Sequence, residues 1–138
     1  MTIREARPDE AEDVLAVWRA AASAPSVTDG PEYVGAVVAN DHAWLLVAEE
    51  EGRIAGTVIA AWDGWRGHFY RLAVLPELRR RGIGSALVRA AEERLRDAGA
   101  TRLAAIVVDR SERAAGFWTA AGYTHQVAGR RFTRNLPR

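Results

Sequence analysis

Apolar residues along the 138-residue chain recur at two spacings, one of about two residues and one of three to four. The short spacing predicts strands at residues 2–6, 43–49, 53–61, 68–74 and 102–108. It also predicts a last hairpin, 123–127 with 131–135, around Ala128-Gly129-Arg130. Glu50-Glu51-Gly52 is a hairpin turn, and Asp63-Gly64 is a second turn signal. The longer spacing predicts four helices. The first opens on Pro8-Asp9-Glu10, a proline with acids in the first turn, presents Val14, Leu15, Val17 and Trp18 on one side, and fades near Ser23 ahead of Pro25. A loop over 26–31 precedes a short helix at 32–39. The third helix runs from Gly82 to about Asp97, with Ile83, Leu87, Ala90, Ala91 and Leu95 facing inward and Gly99 closing it. The fourth covers 111–121 and stops at Gly122. The order is strand, two helices, three strands, helix, strand, helix, two strands. It predicts an α+β fold, or an α/β three-layer one, in which helices cover the faces of a sheet of about seven strands.

The length fits a single domain over residues 1–138, and 49% apolar residues suffice for a core. With no cysteine, disulfides, thiolate zinc sites and a cysteine nucleophile are excluded. No apolar run has the length of a membrane span, and no apolar leader follows Met1-Thr2-Ile3-Arg4-Glu5, so a soluble cytoplasmic protein is expected. Every one of the 19 basic side chains is arginine, which excludes a Schiff-base or phosphate-loop lysine. The net charge of +1 conceals an asymmetry: residues 1–65 carry 4 arginines and 12 acids, residues 66–138 carry 15 arginines and 6 acids. Either an anionic ligand meets the C-terminal half or folding intermixes the two halves.

The start of the third helix bears on that choice. A helix ordinarily opens with a Ser, Thr, Asp or Asn cap and acids in its first turn. This one opens with Arg79, Arg80 and Arg81, then Gly82, Ile83, Gly84 and Ser85. Clustered positive charge at the positive end of a helix dipole is favourable once an anion sits there, and glycines let that anion approach backbone N–H groups. A solvated arginine run before a glycine-softened helix start accounts for the same residues. A Walker loop is excluded by the missing lysine, and a dinucleotide fingerprint by Leu87 at its third glycine.

The segment Leu72-Ala73-Val74-Leu75-Pro76-Glu77 followed by Arg79 to Leu87 resembles the acetyl-CoA motif of the GNAT-type N-acetyltransferases, Arg/Gln-x-x-Gly-x-Gly/Ala. Residues 114–123, Ala-Ala-Gly-Phe-Trp-Thr-Ala-Ala-Gly-Tyr, resemble the second signature of that family, and the element order matches over essentially the whole chain. The resemblance implies a mixed, mostly antiparallel sheet with helices on both faces, splayed between the strands at 68–74 and 102–108. It implies acetyl-CoA as co-substrate, without a metal. The pantetheine arm would lie in the splay against Leu72, Ala73 and Val74, and the pyrophosphate on the N–H groups from Arg80 to Ser85, with Arg79 beside them. The acidic half, including the loop before Glu32, would face a primary amine on a small molecule or peptide.

Three chemical tasks follow from acetyl transfer: deprotonating an ammonium, stabilising a thioester oxyanion and releasing a thiolate. For the oxyanion the resemblance implies a backbone N–H near Val74. Where the family often has a tyrosine acid the chain has Trp118, whose indole N–H donates but is no general acid, so water, Tyr70 or Tyr123 takes that role. The asparagine often found seven residues earlier is Ser111. The base implied on the strand before the arginines is His68, with Asp63 and Glu32 as rivals; a second family route is closed by Ile106. His42 and His125 read as turn or strand-end residues. Trp62 and Trp65 flank a turn near the expected acceptor mouth, where packing accounts for them as well as acceptor contact does. A non-catalytic acyl-CoA sensor is the alternative function, and nucleic-acid binding through the arginine-rich half ranks last. The final hairpin would offer an edge to a second copy in a homodimer.

Overall fold

The computed structural model describes residues 1–107 and 112–137. The chain forms two compact units, Met1–Ile106 and Val107–Arg138. The first contains β1 (Thr2–Glu5), α1 (Ala11–Ala20), α2 (Pro31–Val38), β2 (Ala43–Glu50), β3 (Arg53–Trp62), β4 (Gly67–Val74), α3 (Ile83–Ala98) and β5 (Leu103–Ala105). In the second unit the described helix is α4 (Glu112–Ala120). Short 3₁₀ turns at Pro8–Glu10 and Pro76–Leu78 precede α1 and α3.

The sheet runs β1-β2-β3-β4-β5 in space, in the same order as in sequence. Strands β1 to β4 are antiparallel, and β5 joins β4 in parallel after the α3 crossover. Glu51 and Gly52, both at positive φ, turn β2 into β3, the pattern of a type I′ hairpin. Successive side chains of β3 point to opposite faces. A Cβ on Gly56 would meet Leu87 and Ile83 of α3, whereas the neighbouring Thr57 bonds Trp18 of α1. Helices therefore cover both faces. Val14, Leu46, Val47, Val58, Leu87 and Leu95 are fully buried between the layers.

Among the described residues the sheet has five strands rather than about seven. Residues 123–127 and 131–135 form no strands. Val127 is 81% and Phe132 87% exposed, and the half-buried Tyr123 belongs to the end of the preceding helix. A two-stranded hairpin with no covered face is not stable in water. β5 is also shorter than the predicted 102–108, of which residue 108 lies outside the described residues.

Candidate active site

Strand β4 is the structural centre of the first unit's polar chemistry. At its start, Gly67 admits its neighbours: a Cβ there would lie 2.7 Å from Leu103 and 3.0 Å from Leu95. Phe69 follows the same face and is buried. The β4–β5 ladder spans Gly67–Phe69 and Leu103–Ala105, while β4 itself runs on to Val74. Among the described residues the two strands pair at the Gly67 end of β4, an arrangement compatible with the expected splay.

A bulge interrupts β4 halfway. Ile59 faces Tyr70 and Thr57 faces Ala73, so Arg71 and Leu72 together oppose Val58. Arg71 sits in the left-handed region at φ 53, which is costly for a side chain with a Cβ. Its neighbours hold it there. The Thr57 hydroxyl, fully buried, donates to the Arg71 carbonyl at 2.9 Å and accepts from Trp18 Nε1 at 2.9 Å. The Arg71 guanidinium lies over the Trp18 ring, donates to the Ala24 carbonyl at 2.8 Å and to Asp29 Oδ1 at 2.6 Å. One inserted residue exchanges the faces of the strand. Before it, His68 and Tyr70 share the α1 face with Ala61 and Ile59; beyond it, Ala73 takes that face opposite Thr57 and Val74 turns to α3 opposite Gly56.

His68 and Tyr70 stand together, with ring centroids 6.3 Å apart and a 27° interplanar angle. His68 Nε2 is 3.2 Å from Asp63 Oδ2. The other carboxylate oxygen of Asp63 accepts the backbone N–H groups of Arg66 at 2.7 Å and Trp65 at 2.8 Å. Those two bonds, Arg66 first, hold the Asp63 carboxyl below its ordinary range. Trp65 is 70% exposed and lies under the Arg66 guanidinium. Trp62 pairs within the sheet and is half-buried.

Beyond β4, the turn Pro76–Leu78 delivers the chain to Arg79, Arg80 and Arg81. Arg80 has φ 66 and Gly82 φ 79, a second and third left-handed conformation within a short stretch. The first backbone bond of α3 runs from Ala86 N–H to the Gly82 carbonyl, leaving the N–H groups of Ile83, Gly84 and Ser85 ahead of it. No side chain caps this end and its first turn holds no acid. Left-handed Gly82 followed by helical Ile83 aims successive N–H groups the same way, a concavity suited to an anion. Arg80, Arg81, Gly82 and Ser85 are exposed and reachable by a ligand, while Ile83 anchors the turn in the core.

The remaining sequence candidates lie in the second unit. Trp118 and Tyr123 meet edge to face at 5.0 Å. Tyr123 N–H bonds the Trp118 carbonyl, Gly122 N–H bonds the Thr119 carbonyl, and Gly122 has φ 98. This is a Schellman cap with its hydrophobic clasp, so the Trp-x-x-x-Gly-Tyr spacing has a folding reason of its own. Ser111 lies outside the described residues. Among the described residues, no group of three or more His, Asp or Glu is gathered as a metal site. No described helix is long and apolar enough to cross a membrane.

The residues not anticipated from sequence are Arg71, Thr57 and Trp18. Their role depends on the bulge, whose one trace in the sequence is the loss of alternation across Leu72-Ala73-Val74.

Residues 5–123 match the model of the acetyltransferase (GNAT) family. Aminoglycoside antibiotic 6'-N-acetyltransferase AAC(6')-Ig from Acinetobacter haemolyticus is 18% identical with a TM-score of 0.82, covering 99% of this chain and 100% of that one. AAC(6')-Iy, solved with a bisubstrate analogue of CoA and acetylneamine, is 17% identical with a TM-score of 0.77, covering 99% and 97%. The PaiA N-acetyltransferase of Thermoplasma acidophilum, solved with coenzyme A, is 18% identical with a TM-score of 0.78, covering 86% of each chain.

Proposed function

Because the chain belongs to the acetyltransferase (GNAT) family, and is thus an acetyl-CoA-dependent N-acetyltransferase, we propose that it passes the acetyl group straight to a primary amine, holding the thioester with β4 and the start of α3. The observation that carries the assignment is the opening of α3: three arginines, a left-handed Gly82 and N–H groups ahead of the first helical bond, where a cap and acids would ordinarily stand. Such an opening suits the pyrophosphate of acetyl-CoA, with bidentate arginine contacts to its oxygens. Leu72, Ala73 and Val74, on the stretch of β4 that runs past the β5 ladder, take the pantetheine arm. The family match crosses the boundary between the two units, which supports reading residues 1–138 as one catalytic domain.

With no cysteine, the chain has no thiol to carry an acyl-enzyme, and direct attack is the simpler course. His68, held by Asp63 and stacked on Tyr70, takes a proton from the ammonium. A backbone N–H near Val74 stabilises the oxyanion. The CoA thiolate, with a thiol pKa of about 8.5, leaves without a strong acid. Tyr70 and Tyr123 are the side chains able to protonate it, and Trp118 offers only a hydrogen bond. The acid excess of residues 1–65 suits a cationic acceptor.

Thiol release from acetyl-CoA, measured against a panel of primary amines, tests the reading. Aminoglycosides come first, then polyamines, amino acids and peptide N-termini. Amine-dependent release is expected. CoA binding with no release for any amine would instead identify an acyl-CoA sensor.

A further inference from the structure

The turn joining β3 to β4 carries more than a change of direction. Asp63, at its head, divides its two oxygens between two tasks. Oδ1 closes the turn on the N–H groups of Trp65 and Arg66, and Oδ2 reaches His68 Nε2. The carboxylate is ionised, held so by those N–H groups. An ionised carboxylate only accepts hydrogen bonds, so Nε2 must be the donor and must carry a proton. Neutral imidazole has a single N–H; once it is on Nε2, the free lone pair is on Nδ1. Tyr70 stacks on the ring, and Ala61 and Ala104 are the strand partners of His68. Arg66 shares the turn, with its guanidinium over Trp65.

We propose that Asp63 is a positioning residue for catalysis: it fixes the imidazole of His68 through Nε2 and makes Nδ1 the nitrogen that receives the acceptor's proton. This rests on the reading of His68 as base. One proton passes from the ammonium to Nδ1, directly or through a water. The resulting imidazolium keeps its Nε2–H bond to Asp63 and later returns the Nδ1 proton to solvent. The freed amine lone pair forms the C–N bond as the C–S bond breaks. The amine's second proton ends on the CoA thiolate. On this proposal Asp63, which accepts from three donors, positions the base rather than acting as one.

The experiment pairs nitrogen NMR with kinetics on the full chain. Long-range ¹H–¹⁵N spectra report which ring nitrogen of His68 is protonated, with His68→Gln used to assign the signal against His42 and His125. Asp63→Asn is the informative variant, because its amide oxygen can keep the turn bonds while the charge is lost. In the wild type the neutral ring is expected as a single Nε2–H tautomer. In Asp63→Asn it becomes mixed or reverses, since the amide nitrogen can donate to Nε2. With acetyl-CoA and neamine, or the best amine of the panel, kcat is expected to fall about tenfold in Asp63→Asn with KM for acetyl-CoA unchanged. Asp63→Glu is expected to recover part of the loss. A wild-type ring protonated on Nδ1, or one unaltered by Asp63→Asn, overturns the proposal. Full activity in His68→Gln overturns instead the assignment of His68 as base.

Discussion

Thr57 shows how much of the strand's shape rests on one hydroxyl. It bonds both the indole of α1 and the carbonyl of the strained Arg71. Thr57→Val keeps the volume but strands a buried indole N–H, which costs about 1–3 kcal/mol. The expected outcome is a lower Cm in urea and weaker CoA binding, because the bulge sets where Leu72 and Val74 stand. Unchanged binding would separate the bulge from the cofactor site. His68 belongs to the same scale. His68→Ala is expected to reduce kcat on the order of 10²-fold and to flatten the pH–rate profile near neutrality. A profile that keeps its shape removes His68 from the mechanism. The loop acid Asp29, by contrast, is engaged by Arg71 and by the Ser26 N–H, so it serves the loop's own geometry.

At the scale of elements, α3 is largely legible in the sequence. Of the expected stripe, Ile83, Leu87, Ala91 and Leu95 are buried and Ala90 is half-buried, and Gly99 closes the helix at φ 116. Its opening stands out as an anomaly because caps and first-turn acids obey local chemistry. The bulge in β4 is not legible, since a one-residue insertion is fixed by partners on β3 and α1 far away in sequence. The expected final hairpin fails for a related reason: alternation alone carries no information about whether another layer exists to cover it. Gly82 links element to function. Gly82→Ala at φ 79 is expected to cost about 1–2 kcal/mol from the left-handed conformation alone. A larger loss in CoA affinity than in stability would follow if the N–H groups are re-aimed. An equal affinity in a folded variant would count against the cradle.

On the scale of the whole molecule, the charge asymmetry resolves into two different structures. In the N-terminal half, Glu10 is buried and paired with Arg4 at 2.8 Å and Arg7 at 3.2 Å, while Arg4 also meets Glu49. The bond from Arg4, against the opposing effect of burial, lowers the Glu10 carboxyl from 4.5 to about 2. The sign follows from a folded value below the unfolded one: the stabilisation is complete above pH 4.5 and is lost as pH falls towards 2. It amounts to on the order of 3 kcal/mol. The stability gap between wild type and Glu10→Gln, read from urea unfolding, is therefore expected to shrink over that window. A gap independent of pH would mean that the pair contributes no charge term. In the C-terminal half, three of the fifteen arginines, half-buried Arg79 and exposed Arg80 and Arg81, stand instead at the opening of α3, the proposed seat of the pyrophosphate. The most direct measurement compares two thioesters by calorimetry. Acetyl-CoA carries the pyrophosphate and nucleotide, and S-acetylpantetheine lacks both. Clear binding of acetyl-CoA, weakened by salt, is expected, with most of that affinity lost in S-acetylpantetheine. Equal affinity for the two would contradict a pyrophosphate seat at the start of α3.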